Sequence, residues 1–151
     1  VFGTSIKNTF KTSDLKIKND KNQIGCSVTH DGYEKNFNCI HRREIYLDLE
    51  NNKLKGIDHI NKKSDGKPIR YTFRFHLNPG LMAVKTMSGN SALIQLSKNK
   101  SLIFTLKDEN LEIEKSIFLG DKKILDNTCI TISGNLVNKD KSLIWEIKKK
   151  I

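Results

Sequence analysis

The sequence has no uninterrupted apolar stretch of the length needed to cross a membrane, which is about 18 residues or more. It also shows no signal peptide, and its first residue is Val1 rather than Met. We therefore expect no membrane span, and we expect the chain to be a piece cut from a longer protein.

Cysteine is scarce and is not arranged in pairs. Cys26, Cys39 and Cys129 make an odd count, and no C-x-x-C pair occurs. This pattern argues against a zinc ribbon and against a disulfide-dense scaffold. Cys26 and Cys39 could meet across neighbouring strands, but buried free thiols are the expected state.

A sustained helical period and an internal repeat are both absent. Instead, short apolar runs recur at intervals of about ten residues and are separated by turns rich in Gly, Asn and Asp. The clearest run places Tyr71, Phe73 and Phe75 in alternation with polar residues, as in a half-buried antiparallel strand. The sequence therefore predicts an all-β fold, an antiparallel β-sandwich of about ten to twelve short strands. We assign residues 14–151 to this domain and residues 1–13 to a lead-in or linker.

The charge is strongly positive, with 27 Lys and Arg against 17 Asp and Glu, a net charge of +10. A basic surface favours polyanionic partners such as acidic polysaccharide, nucleic acid or anionic membrane. Nucleic acid is the weakest of these, because the sequence lacks a cluster of aromatics interleaved with Arg and Lys for base stacking.

Polar residues capable of chemistry are concentrated in residues 29–76. This window contains His30, His41, His59 and His76, which are all the histidines of the chain, and also Asp31, Asp58, Arg42, Arg43, Arg70 and Arg74. We therefore expect any polar site to lie here.

Five motifs carry a family resemblance. They are T-H-D-G-Y from Thr29, I-H-R-R-E-I-Y-L from Ile40, L-K-G-I-D from Leu54, F-R-F-H-L-N-P-G from Phe73 and K-S-I-F-L-G from Lys115. In this order and spacing, over roughly residues 20–150, the chain resembles the C-terminal domain of heparinase II/III-like proteins. The resemblance implies a polysaccharide lyase in which an N-terminal helical toroid and a C-terminal β-sandwich enclose the substrate cleft. Most catalytic groups would come from the toroid, so this chain alone is expected to be inactive.

The resemblance also implies a divalent metal, usually zinc, held by two His and one Asp. The best matches by position are His41, Asp58 and His76, a ligand set that leaves one zinc position for water. His41 and Asp58 lie on strands that would pair as a hairpin, so their side chains can meet. Without the resemblance, such a pair is more often hydrogen-bonded packing than a metal site.

A lyase of this class removes the proton next to a uronate carboxylate and expels the glycosidic oxygen by β-elimination. This chemistry needs a base and a positive clamp on the carboxylate. Related lyases often carry a histidine two residues before the first metal ligand, where this chain has Cys39. His30 and Tyr33 are our catalytic candidates, and the substrate-binding candidates are Arg42, Arg43 and Arg74. Arg42 and Arg43 point to opposite faces of one strand, so at most one of them can line a given cleft.

Three functions compete at this point. The first is a domain of a lyase that cleaves acidic polysaccharide, active only with its toroid partner. The second is a non-catalytic carbohydrate-binding or structural sandwich. The third, nucleic-acid binding, is suggested only by charge. A periplasmic or cell-envelope location is implied by the resemblance.

Overall fold

The computed structural model describes residues 9–64, 66–120, 123–137 and 140–150. They form eleven β-strands and one short helix. The elements are β1 (Thr12–Asn19), β2 (Gln23–His30), α1 (Glu34–Phe37), β3 (Cys39–Asp48), β4 (Lys53–Lys62), β5 (Ile69–His76), β6 (Met82–Lys85), β7 (Ser91–Ser97), β8 (Lys100–Leu106), β9 (Glu112–Gly120), β10 (Lys123–Leu136) and β11 (Asp140–Lys149).

The strands assemble into two antiparallel sheets. The larger has eight strands in the order β1-β2-β3-β4-β11-β8-β7-β6, and the smaller has three in the order β5-β10-β9. The predicted antiparallel β-sandwich is therefore confirmed. β3 and β4 lie inside the large sheet, whereas β5 is an edge strand of the small sheet.

The core lies between the inner faces of the sheets, by which we mean the faces that the two sheets turn toward each other. On β5 the predicted alternation holds, since Phe73 is buried while Arg74 and His76 are exposed. The buried cluster consists of Phe73, Ala92, Ile94, Phe104, Leu106, Leu111, Ile130, Ile132, Leu143 and Trp145. The large sheet contributes to this cluster from β7, β8 and β11. Partly buried residues of β3, β4 and β6 pack against it, whereas β1 and β2 contribute none.

Helix α1 was not predicted. Sequence signals at Asp31-Gly32 and Lys35-Asn36 indicated only a loop, and a helix of four residues is too short to show a helical period. It ends at Asn38, which adopts the left-handed conformation with φ of 53° and donates its N–H to the Glu34 carbonyl. Among the described residues, no helix is long and apolar enough to cross a bilayer.

The cysteines are free thiols. Cys26 on β2 lies opposite Ile45, so the register does not bring it to Cys39. Cys39 and Cys129 are buried as expected, whereas Cys26 is exposed because β1 and β2 extend past the small sheet.

The start of the domain is only partly described. Residues 1–8 of the proposed lead-in lie outside the described residues, and Thr12 and Ser13 already belong to β1. The boundary at residue 14 stays a prediction.

Candidate functional site

A cleft of about 560 Å³ opens between the β2-β3-β4 part of the large sheet and the free edge of β5. Its histidine, arginine and aromatic lining residues are His30, His41, Arg43, Arg70, Arg74, Tyr33, Phe37, Tyr71 and Phe73. No Asp or Glu is among the lining residues that the structure describes. The cleft is therefore cationic and partly aromatic.

Asp58 is the buried acceptor behind this cleft. Arg43 lies directly opposite it on β3, and His41 lies two residues before Arg43 on the same face. His41 Nε2 and Arg43 Nε approach Asp58 Oδ1 at 2.8 Å and 2.6 Å, and Trp145 Nε1 donates to Oδ2 at 2.8 Å. The carboxyl group is fully buried, so these three N–H donors replace the water that its charge has lost.

The same contacts determine the protonation of Asp58. Burial is the largest single influence and pushes the pKa of this carboxyl upward. Together, the hydrogen bonds from His41, Arg43 and Trp145 outweigh the effect of burial and hold the pKa of Asp58 below its ordinary value. Asp58 is therefore a carboxylate in the folded protein at neutral pH.

Gly56 makes room for the Trp145 donor. The two residues are opposite each other on β4 and β11, and the indole lies against the glycine backbone. A Cβ atom at position 56 would lie 2.0 Å from Trp145 Cζ2, so only glycine accommodates the ring in this position. This close approach brings the indole N–H to Asp58.

His30 and His41 extend the hydrogen-bonded chain from Asp58 to the mouth of the cleft. They face each other across β2 and β3, with His30 Nε2 and His41 Nδ1 separated by 3.0 Å. Since ionised Asp58 can only accept, the hydrogen of a neutral His41 lies on Nε2, and its Nδ1 accepts from His30. His30 Nδ1 then accepts from the Gly32 backbone N–H at 3.2 Å.

The environment favours the neutral form of His30. Burial is the main cause of its lowered pKa, and nearby His41 and Arg43 lower the pKa further, while Asp31 opposes them. The lone pair of this neutral imidazole lies on Nδ1, where it accepts the Gly32 N–H, so His30 can act as a general base only when that hydrogen bond is given up.

Arg43 is fixed in place by its contact with Asp58. Its Cζ atom also lies 5.5 Å from the centre of the Phe75 ring, a cation–π arrangement. Both Nη groups have no hydrogen-bond partner among the described residues, and the side chain lines the cleft. Arg43 thus presents an oriented pair of donors to the cleft.

The other predicted arginines divide between the two faces. Arg74 lines the cleft, as does Arg70, which lies in the polar window but was not among the substrate-binding candidates. Arg42 Nη2 instead pairs with Glu44 at 2.9 Å on the outer face of the large sheet, the face away from the core. Of the two neighbouring arginines, the cleft receives only Arg43.

His76 is not brought to His41 and Asp58. It lies on the exposed face of the small sheet, where its Nδ1 contacts Ser116 Oγ at 2.9 Å. Tyr33, our second catalytic candidate, lies at the cleft mouth with its ring 5.4 Å from that of His30.

The match to a known family agrees with the motifs. The model of the family described as heparinase II/III-like, C-terminal, matches residues 4–146. The chain belongs to this family. No curated protein sequence matches the chain.

Solved structures show the same fold. The heparan sulfate lyase HepC from Pedobacter heparinus superposes with a TM-score of 0.75 at 14% identity over 92% of this chain. A HepC mutant gives a TM-score of 0.74 at 12% identity, also over 92% of this chain. In both comparisons, the match covers only 22% of the HepC chain.

The zinc that the family resemblance implies does not fit the side chains as they are arranged. A metal needs donor atoms that converge on one point, but of the predicted ligands only His41 and Asp58 meet, and His76 contacts Ser116 on the small sheet instead. No group of three or more potential ligands is assembled within the described residues. Arg43 supplies positive charge to Asp58 where a metal would otherwise do so.

Zinc binding therefore stays a prediction from the sequence. The arrangement of the side chains leads us to expect that the protein does not hold zinc tightly. We expect the protein, loaded with zinc and dialysed, to retain far less than one zinc per chain by plasma mass spectrometry. Its melting temperature should not change with a chelator. One tightly held zinc per chain, lost in His41→Ala, would instead support the sequence-based ligand assignment.

Several residues of the site were missed from the sequence. Trp145 alternates with Leu143 and Ile147, which indicates a core position, but no local signal links its N–H to Asp58. Phe37 was missed because it lies on the unpredicted helix α1. Arg70 lies four residues before Arg74 on β5, so the two side chains point to the same face of the strand. This alternation could have identified Arg70.

Proposed function

We propose that this chain is the C-terminal β-sandwich domain of a lyase that cleaves acidic, uronate-containing polysaccharide by β-elimination. The sandwich forms one wall of the substrate cleft, and an N-terminal helical toroid forms the other. Membership of the heparinase II/III-like family supports this function, and the 22% coverage of HepC supports a further domain. The expected location is the periplasm or cell envelope.

The observation that carries the proposal is the fixed guanidinium of Arg43 in a cleft without carboxylates. β-Elimination places negative charge on the uronate carboxylate as the neighbouring C–H bond breaks. A guanidinium whose Nε is held by Asp58 leaves its two Nη groups available for bidentate contact with that carboxylate. Because the donor is oriented before substrate binds, it stabilises the transition state with little reorganisation.

His30 is the candidate base on this wall. Its role is to accept, on Nδ1 and in place of the Gly32 N–H, the proton removed beside the carboxylate. The C–H electron pair forms the new double bond, and the glycosidic oxygen leaves. His41 and Asp58 hold the His30 ring through the hydrogen-bonded chain. Groups from the toroid would supply the remaining catalysis.

Activity measured by the absorbance of the unsaturated uronyl product tests the proposal. We expect the full-length protein to form this product from heparan sulfate and the 151-residue chain alone to form none. Product formed by the isolated chain would contradict our assignment of the main catalytic groups to another domain. Binding of heparan sulfate by an inactive full-length protein would favour a carbohydrate-binding module instead.

Substitution of Arg43 is the sharper test. Arg43→Ala in the full-length protein should lower kcat by about 10²–10³-fold, the usual cost of one lost transition-state donor. Arg42→Ala is the matched control, because the neighbouring arginine pairs with Glu44 on the outer face and should leave kcat unchanged. Equal losses of kcat in Arg43→Ala and Arg42→Ala would show that kcat depends on the total positive charge and not on the position of Arg43.

A further inference from the structure

Three aromatic side chains form an exposed rim beside the cleft. Phe10, Tyr33 and Phe37, which we call the aromatic rim, are 60%, 50% and 50% exposed. The rings are neighbours: Phe10 and Tyr33 lie 5.2 Å and 5.4 Å from His30, and Tyr33 lies 6.5 Å from Phe37. A contiguous exposed aromatic surface at the mouth of a cleft is typical of an interaction site.

The backbone under the rim is held in place. Lys11 N–H donates to the Asp31 carboxylate at 2.7 Å, and Asp31 N–H donates to the Lys11 carbonyl at 3.2 Å. On the other side, the Glu34 carboxylate pairs with Lys63, whose backbone N–H donates to the Asn38 carbonyl at 2.9 Å. The rings are therefore presented by an ordered loop and helix, which reduces the entropy lost on binding.

The rim and the arginines border the same cavity. All of these residues line the cleft: Tyr33, Phe37 and Arg43 come from the large sheet and the α1 segment that joins its strands, and Arg70 and Arg74 come from β5 across the cleft. A uronate pyranose has the matching two-sided chemistry, with apolar C–H groups on the ring face and negative groups at the ring edge. Ligand sites commonly combine an aromatic wall with a few placed polar groups in this way.

We propose that the aromatic rim is a stacking subsite for a pyranose ring of an acidic polysaccharide. The rim contacts the ring face, and the arginines bind the anionic groups of the same or the adjacent sugar. This inference rests on the proposed substrate class but not on catalysis. It gives Tyr33 a binding role in place of the catalytic role suggested by the sequence.

Binding titrations of the full-length protein with a heparan sulfate oligosaccharide test the subsite. Phe37→Leu and Tyr33→Leu keep apolar bulk but remove the aromatic face, and each should weaken binding by about fivefold to tenfold. The same factor should appear at low and at high salt, because stacking is not screened. The loss in Arg74→Gln should shrink as salt increases.

Phe118→Leu is the matched control, because Phe118 on β9 is an aromatic residue that is 39% exposed and does not line the cleft. It should bind as the unaltered protein does, and circular dichroism should show that every variant is folded. If both rim variants bind with unchanged affinity while Arg74→Gln binds more weakly, the subsite is overturned. This result is expected when another domain covers the rim. Rim-dependent binding of a single-stranded oligonucleotide tighter than that of the polysaccharide would overturn it in favour of nucleic acid.

The outcome for the subsite is separate from the outcome for the lyase. Rim-dependent binding without uronyl product would uphold the subsite and contradict the proposed reaction. Product formation by the unaltered protein, together with unaltered binding in the rim variants, would uphold the proposed reaction and contradict the subsite. Failure of the unaltered protein to bind the oligosaccharide would overturn the subsite itself.

Discussion

Asp58→Ala is expected to lower the free energy of unfolding by about 3–5 kcal/mol, the range found when one partner of a buried ion pair is removed. The substitution leaves Trp145 Nε1–H without an acceptor in the core and removes the carboxylate that His41 and Arg43 contact. Urea unfolding followed by circular dichroism measures the change. A loss below about 1 kcal/mol would show that water enters and satisfies the three donors.

Asp58→Asn separates charge from shape in the same position. In the unaltered protein, the pKa of Asp58 is lower in the folded state than its ordinary value of 3.8. Its stabilising contribution is therefore complete about one pH unit above 3.8, at about pH 5, and is lost as the pH falls from there through the folded-state pKa. The stability difference between the unaltered protein and Asp58→Asn should narrow below about pH 5. A constant difference down to pH 2 would contradict the ionised state of Asp58.

Trp145→Ala is expected to cost a similar amount, about 3–5 kcal/mol, as is usual for a large aromatic residue removed from a core. The indole is 4% exposed and packs near Phe75 and Phe104, with ring centres 5.2 Å and 6.0 Å away. The substitution also removes the donor to Asp58 Oδ2. Thermal and urea unfolding of the variant measure the loss.

Gly56→Ala and Trp145→Ala together form a double-mutant cycle. Alone, Gly56→Ala should destabilise the protein by about 1–3 kcal/mol, because the new Cβ overlaps the indole of Trp145. With Trp145→Ala also present, the overlap is gone, so the added methyl group should cost little or should partly fill the cavity. Additive losses in the double variant would contradict the close contact between positions 56 and 145.

Much of the architecture could be predicted because it depends on local patterns. Alternation of Phe73 and Phe75 with Arg74 and His76 placed the inward and outward residues of β5 correctly. Turn residues between apolar runs predicted about ten to twelve short strands, and the described residues form eleven. These patterns repeat every two residues and are read without knowledge of distant segments.

The site was only partly predictable, because the meeting of its members depends on long-range pairing. The alternation of side chains along β3 was sufficient to predict that Arg42 and Arg43 lie on opposite faces. The β3–β4 hairpin was sufficient to predict that His41 and Asp58 can meet. By contrast, His76 shares a motif-based ligand set with those two residues but faces solvent on the other sheet.

The amino-acid pattern alone was enough to specify an antiparallel sandwich, the family and the faces of individual strands, since neighbouring side chains alternate along a strand. Tertiary structure decided that Trp145 reaches Asp58 across 87 residues of chain, that Arg43 is its ionic partner and that an aromatic rim adjoins the cleft. Those contacts depend on which strands pair, and in which register, and no local period encodes that information.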